Sequence, residues 1–185
     1  MARNTTYRVM HDVGLAAWFG GTLANAVSLN PAAAQAGDTS ATGAVANTGW
    51  DRWEPVNAAA IGVHLVGSVG LLVVNFHRVT GQRGVASMSV AKAGLTATAL
   101  GVTAYSRVLG RKVSRDTRVP AESGTEPAEI TPSGIANAQR QLAVLQWVVP
   151  ALTGALVGVS AFAGEQQRAR ETLKGVLARV LPWDV

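Results

Sequence analysis

VNAAAIGVHLVGSVGLLVVNF, residues 56–76, decides the fold class, because it holds no Asp, Glu, Lys or Arg, and charge returns only at Glu54 and Arg78. As a helix, a run of about 20 apolar residues matches the roughly 30 Å hydrocarbon thickness of a bilayer. Working outward, an uncharged run lies between Asp12 and Asp38, and another between Arg140 and Glu165, where Pro150 should bend a helix rather than end it. A fourth run follows Gly84 and carries Lys92, whose ammonium must snorkel to the interface if the segment crosses. The expected spans are 13–34, 55–76, 85–106 and 141–164. They imply an all-α fold, an integral membrane four-helix bundle forming one domain over residues 1–185.

Composition agrees with this. The chain of 185 residues is 48% hydrophobic and 15% charged, against about 25% charge in soluble domains, and its mean hydropathy is +0.21. It has no cysteine, which excludes disulfides, thiolate metal sites and a cysteine nucleophile. The net charge of +5 comes from basic residues beside apolar runs, so it points to anionic lipid headgroups. Nucleic acid is not expected as a partner, since the basic run Arg107–Arg118 has only Tyr105 beside it as an aromatic.

The N-terminus imitates a secretory signal, with Arg3 and Arg8 before the apolar run and Ala34-Gln35-Ala36 after it. Trp18, Asn25 and the glycines within the run favour a retained helix. Residues 37–54 read as a Gly/Thr/Ser-rich loop, and 77–84 as a short turn carrying Arg78 and Arg83. The positive-inside rule places that turn and both termini in the cytoplasm, although the basic start of the 107–140 connection opposes it. In that connection PAESGTEPAE reads as irregular, and Thr131 as an N-cap before Pro132 at the first helical position. Trp50, Trp53 and Trp147 suit an aromatic belt at one interface. Over 165–185, Ala169, Leu173, Val176, Leu177 and Val180 recur at helical spacing and suggest a cytoplasmic amphipathic helix lying on the membrane; a helix packed on a partner fits the same pattern.

Each expected span carries a polar stripe. The second aligns Asn57, His64, Ser68 and Asn75; the fourth repeats Gln139, Gln146, Thr153 and Ser160; the third aligns Ser89, Lys92, Thr96, Thr103 and Ser106; the first aligns His11, Gly14, Trp18, Gly21, Asn25 and Ser28. Hydrocarbon cannot satisfy such groups, so they should face one another or a polar cavity. As glue between helices each hydrogen bond is worth about 0.6 kcal/mol. Gly21, Gly67 and the Gly154/Gly158 step offer close helix packing, within the chain or against a protein partner or second copy.

His64, near the middle of its span, is the strongest single site candidate, with Asn25, Asn57, Ser68, Asn75 and Thr153 as further ligand-binding candidates. Its alternative is a neutral imidazole bonded to Asn25, Thr153 or a backbone carbonyl. No cofactor is expected, haem and quinone being the options considered. Haem at His64 lacks an axial partner of matching depth, and His11 with His77 would pair only at the inner edge. Three scattered histidines supply no metal-site spacing. Lys92 with His11 and His77 could instead form a cationic mouth for an anion or lipid headgroup, neutralised by Asp12. A Walker lysine, GxSxG, a Rossmann fingerprint and a paired intramembrane carboxylate are all missing, so no catalytic residue is nominated.

GLAAWFGGTLANAVSLN, GWDRWEPVNAAAIGVHLVG and RQLAVLQWVVPALTGAL resemble four-span membrane proteins of actinobacteria that have no assigned activity. That resemblance implies a multi-pass protein of the bacterial plasma membrane and transfers no functional residue. The tryptophan-glycine first span is more distantly similar to anthrone-oxygenase-like membrane families. The expected function is a non-catalytic accessory or scaffold subunit among membrane lipids and protein partners. The rivals are a redox or ligand-handling protein holding haem, quinone or lipid near His64, and a pore or transporter component using the stripes.

Overall fold

A computed structural model describes residues 4–81, 85–115 and 118–165. Among them there are helices, connections and one isolated bridge between Ala121 and Pro127, with no strand. The amphipathic helix expected over 165–185 falls, beyond Glu165, outside the described residues.

The first helix starts earlier than its apolar run. Helix α1 covers Thr5–Ala24, passes into a π turn at Asn25–Leu29 and continues as α2, Asn30–Ala33, with helical backbone angles at each junction. Asp12 does not end the helix because its carboxylate lies on the exposed face. The π turn has a local cause: Pro31 cannot donate to the Val27 carbonyl and its ring would crowd that oxygen, so a wider turn just before it relieves both. The extra residue also rotates the inward face. His11, Gly14 and Trp18 are buried, but Ser28, which the stripe placed inside, is exposed, and Asn30 and Ala33 are buried after the turn.

The expected loop over 37–54 is helical from Thr39 onward. Helix α3 runs Thr39–Val74, capped by the Asp38 carboxylate, which accepts from the Ala41 N–H at 2.8 Å. Pro55 lies inside it. The helix is about 54 Å long at ~1.5 Å per residue, so the expected span covers only its second half. A short helix α4, Phe76–Gly81, follows, then α5, Val85–Val113, and α6, Ser133–Glu165, which Pro150 does not end. Thr131 does not cap α6 with its side chain: its hydroxyl donates to the Pro120 carbonyl at 2.6 Å, and the Pro132 carbonyl accepts the first helical bonds.

Helix α1 packs against α3 and α6, and α5 against α6, while the backbones of α3 and α5 stay apart. The α1/α3 contact is antiparallel and built on glycines. A Cβ on Gly14 would meet the Ala60 carbonyl and the His64 backbone, and one on Gly67 would meet the backbone of His11 and Tyr7. The central core is Leu15, Trp18, Ala99, Val149 and Leu156. A second cluster, Leu109, Val113, Val119 and Ala138, sits where residues 118–132 close one end of the bundle. There the Ala121 N–H donates to the Thr39 carbonyl at 3.0 Å and the Gly124 N–H to the Asn30 carbonyl at 3.1 Å. The Asn30 side chain ties the same end together, donating to Gln146 Oε1 at 2.7 Å and accepting from Trp50 Nε1 at 2.9 Å.

Polarity runs opposite to that of a water-soluble fold. His11, Thr22, Asn30, His64, Gln139 and Thr153 are buried, whereas Val13, Val66, Val69, Leu72, Val90, Val108, Val144 and Phe162 are exposed. Helices α3, α5 and α6 are each long and apolar enough to cross a membrane, consistent with a membrane protein.

Candidate functional site

The gap between α3 and α5 holds two cavities, one toward each end of the bundle. The larger, about 400 Å³, lies beside the start of α1. Its wall is mostly apolar, including Leu72, Val85, Met88 and Leu100, and its polar members are His11, Ser68, Asn75, Arg78, Ser89, Lys92 and Thr96.

Three of these polar residues, His11, Ser68 and Lys92, belong to one connected cluster with Asp12 and His64. Lys92 Nζ stands 3.1 Å from His11 Nε2, and His11 Nδ1 stands 2.7 Å from Asp12 Oδ1. An ammonium only donates, so Nε2 accepts, and Nδ1 then carries the proton that Asp12 receives. A neutral imidazole is thereby held between a cation and an anion. His64 Nδ1 donates to the His11 carbonyl at 3.1 Å, and the two rings pack with centroids 4.6 Å apart. The Ser68 hydroxyl donates to the His64 carbonyl at 2.8 Å and lies 3.5 Å from His64 Nε2. The partly buried Lys92 is the cation of this hydrogen-bonded cluster, and Arg78 lies on the same cavity wall.

Histidine placement departs from the sequence expectation. His11 was assigned to the inner edge and His64 was left without an internal partner, yet they meet because α1 begins at Thr5 and runs antiparallel to α3. His77 is exposed on α4. A bis-histidine haem does not fit these residues, since both His11 ring nitrogens are engaged and the His11 and His64 rings touch. No group of three or more potential metal-ligating His, Cys, Asp or Glu occurs among the described residues.

The other candidates disperse. Asn75 donates to the Leu71 carbonyl at 2.8 Å and accepts from Asn4 at 3.4 Å, at the rim of the large cavity. Thr153 is buried and donates to the Val149 carbonyl on its own helix at 2.9 Å. Asn25 lies in the π turn, fourteen residues and roughly 21 Å beyond His11, and its amide nitrogen has no partner. Asn57 lines the second cavity instead. Among the packing glycines, Gly21 abuts the Trp53 ring, Gly67 abuts α1, and a Cβ on Gly154 would lie 3.1 Å from the Phe19 ring, but one on Gly158 would meet nothing within 4 Å.

The second cavity, about 130 Å³, sits near the capped end and is lined by α3 from Asn47 to Asn57, by α5 from Thr103 to Val113, and by Ser114, Gly124, Thr125 and part of α6. Arg107 and Arg111 both pair with Glu54 across its mouth. The sequence reading missed this cluster, taking 50–54 as loop and belt. Trp50 and Trp53 face inward onto Asn30 and Gly21, while Trp147 is exposed. The readable signal was the spacing of Asn47, Trp50, Glu54 and Asn57 by three and four residues, continuing a helical face back through Pro55.

No protein-family model, curated protein or solved structure matches the chain.

Proposed function

We propose that the chain is a four-span protein of a bacterial plasma membrane, with α1 as the fourth crossing, that binds an amphiphile with an anionic head group between α3 and α5. The observation that carries this reading is Lys92, a cation held against His11 on the wall of a 400 Å³ cavity whose other surface is mainly apolar. An ionisable residue inside a span is costly and marks function by default. Helix α1 and its continuation extend roughly 43 Å at ~1.5 Å per residue between α3 and α6, so a bundle crossing lipid carries α1 across with it. Its lower hydropathy follows from its central place, where His11 and Thr22 are shielded by neighbours.

In this reading the acyl chain lies against Leu72, Val85, Met88 and Leu100, and the acidic head meets Lys92, with Asn75 at the rim. Arg78, on α4 where the sequence suggested a short turn, lies beside the cavity and favours placing this end in the cytoplasm. The arrangement favours ligand handling over the accessory-subunit expectation, because Gly14, Gly21 and Gly67 serve contacts within the bundle and Gly158 alone of the expected packing glycines has open space.

The test compares a fluorescent polyene fatty acid with its methyl ester, titrated into delipidated protein in nanodiscs and read by energy transfer from tryptophan. A charge-assisted hydrogen bond is worth about 1.5–3 kcal/mol, so the acid should bind roughly 10–100-fold more tightly. Lys92→Met should cut that preference about tenfold or more while retaining ester binding, whereas Arg78→Met, changing the other cation on the wall, should cut it less. Equal affinity for acid and ester in the unmodified protein would refute the assignment.

A further inference from the structure

The His11 ring lies between the cation and the anion of the large cavity's cluster. Its Nε2 accepts from Lys92 Nζ at 3.1 Å, and its Nδ1 donates to Asp12 Oδ1 at 2.7 Å. The imidazole is 2% exposed and the Asp12 carboxylate 59% exposed. The next proton this ring can take goes to Nε2, the atom that Lys92 already occupies.

Charge balance decides when that proton arrives. With His11 neutral, Lys92 and Asp12 offset one another across it. The surrounding elements add little that changes this. On α3, His64 packs against the His11 ring and donates Nδ1 to the His11 carbonyl. Arg8 on α1 lies close enough to Lys92 to repel it, and Arg78 stands on the same cavity wall. Helix α6, which also packs on α1, has no Asp, Glu, Lys, Arg or His between Arg140 and Glu165. An acidic head group that pairs with Lys92 cancels the ammonium charge and leaves Asp12 unbalanced. A proton on His11 Nε2 restores the balance, as an imidazolium against Asp12. It also ends the bond between His11 and Lys92, because both groups then only donate, and turns the ammonium toward the ligand.

We infer that His11 is a proton acceptor that couples binding of an acidic amphiphile at Lys92 to the uptake of one proton. The inference rests on the amphiphile reading and adds its proton balance. Apolar surroundings favour the uncharged form of a carboxylic acid, so an acid entering from the bilayer brings the proton with it. Its O–H bond breaks, the proton passes to Lys92 Nζ as Lys92 passes one of its own to His11 Nε2, and the net charge is unchanged. The cavity then holds a carboxylate against an ammonium, and an imidazolium against Asp12. An anion entering from water takes the proton from solvent instead. His11 is a positioning residue in this scheme, since it acts on the ligand through Lys92.

The experiment uses a pyrenyl alkanesulfonate, whose head group stays anionic throughout, and the corresponding alcohol. Each is titrated into the delipidated full chain in phosphatidylcholine nanodiscs and read by energy transfer from tryptophan, from about pH 8 down to about pH 5, the range in which histidine titrates. The sulfonate should bind up to about tenfold more tightly for each unit by which the pH falls, and an indicator dye in weak buffer should report close to one proton taken up per molecule bound. The alcohol should show neither effect. His11→Gln keeps an acceptor for Lys92 but cannot take a proton, so it should flatten the pH profile while the sulfonate is still preferred to the alcohol. His64→Asn keeps a donor for the His11 carbonyl and should leave the profile intact. The inference is overturned, with the amphiphile reading left standing, if the parent prefers the sulfonate equally at every pH, if the profile survives His11→Gln, or if His64→Asn abolishes it while binding persists. Equal binding of sulfonate and alcohol throughout the range overturns both.

Discussion

Replacing Gly14 by alanine tests the packing that brings the two histidines together. A Cβ at this position would stand 2.5 Å from the Ala60 carbonyl oxygen and 2.5 Å from the His64 backbone nitrogen, where ordinary contact begins near 3.4 Å. Both atoms are helix backbone and cannot swing aside, so α1 and α3 must separate. Overpacking of this kind costs about 1–3 kcal/mol, and alanine recovers up to ~1 kcal/mol in helix propensity. The propensity gain cancels against the matched control, so relative to that control the midpoint falls by the overpacking cost alone, about 1–3 kcal/mol or roughly 2–12 °C for a chain of this size. Gly158→Ala is the matched control, since its Cβ meets nothing within 4 Å; it should be neutral or slightly stabilising. The assay is tryptophan fluorescence on heating in nanodiscs, which Trp18 and Trp53, packed in the bundle, should report. If Gly14→Ala is as stable as Gly158→Ala, the close approach of α1 and α3 is refuted, and with it the 3.1 Å bond from His64 to the His11 carbonyl.

Three other substitutions probe separate parts of the molecule. Asn30→Ala removes the link between Trp50 and Gln146 and should cost about 1–3 kcal/mol, since two part-buried bonds are lost at ~0.5–1.5 kcal/mol each; an unchanged midpoint would show that this end is not held as described. Glu54→Gln leaves Arg107 and Arg111 facing one another without their shared anion, and should lower the midpoint by an amount that shrinks as salt is raised, because partly exposed charges are screened; loss of stability independent of salt would point to packing instead. Pro31→Ala restores a donor to the Val27 carbonyl and should let the π turn relax toward a regular helix, rotating Asn30 off Trp50 and Gln146; retention of both contacts would show that the turn has another cause.

The apolar runs revealed which helices are long, because transfer to lipid depends on composition. They did not reveal where helices end, because caps and backbone pairing decide that. Asp12 broke the first run by its charge but sits on the outer face of α1, so His11, one residue earlier, was displaced in the reading from centre to edge. Residues 39–54 looked like loop from their Gly, Thr and Ser content, although Asp38 was available as an N-cap three residues before Ala41. The inward stripes on α3, α5 and α6 were legible from the helical period. On α1 the stripe failed after Asn25, where the π turn shifts the register. His64 was legible as a buried polar residue; its neighbour was not, since that depends on the antiparallel register of α1 and α3. The second cavity was hidden for a related reason, its residues being divided between a supposed loop and the far end of α5.

Most direct is a measurement of which solvent bathes the outer valines. The chain has no cysteine, so single cysteines replacing Val13 on α1, Val66 on α3 and Val157 on α6, all exposed on the bundle, can each carry a nitroxide in liposomes. Collision with dissolved oxygen should exceed collision with a water-soluble nickel complex at all three sites, α1 included. Preferential collision with the nickel complex at Val66 and Val157 would contradict a lipid-facing bundle, and at Val13 alone it would contradict the fourth crossing.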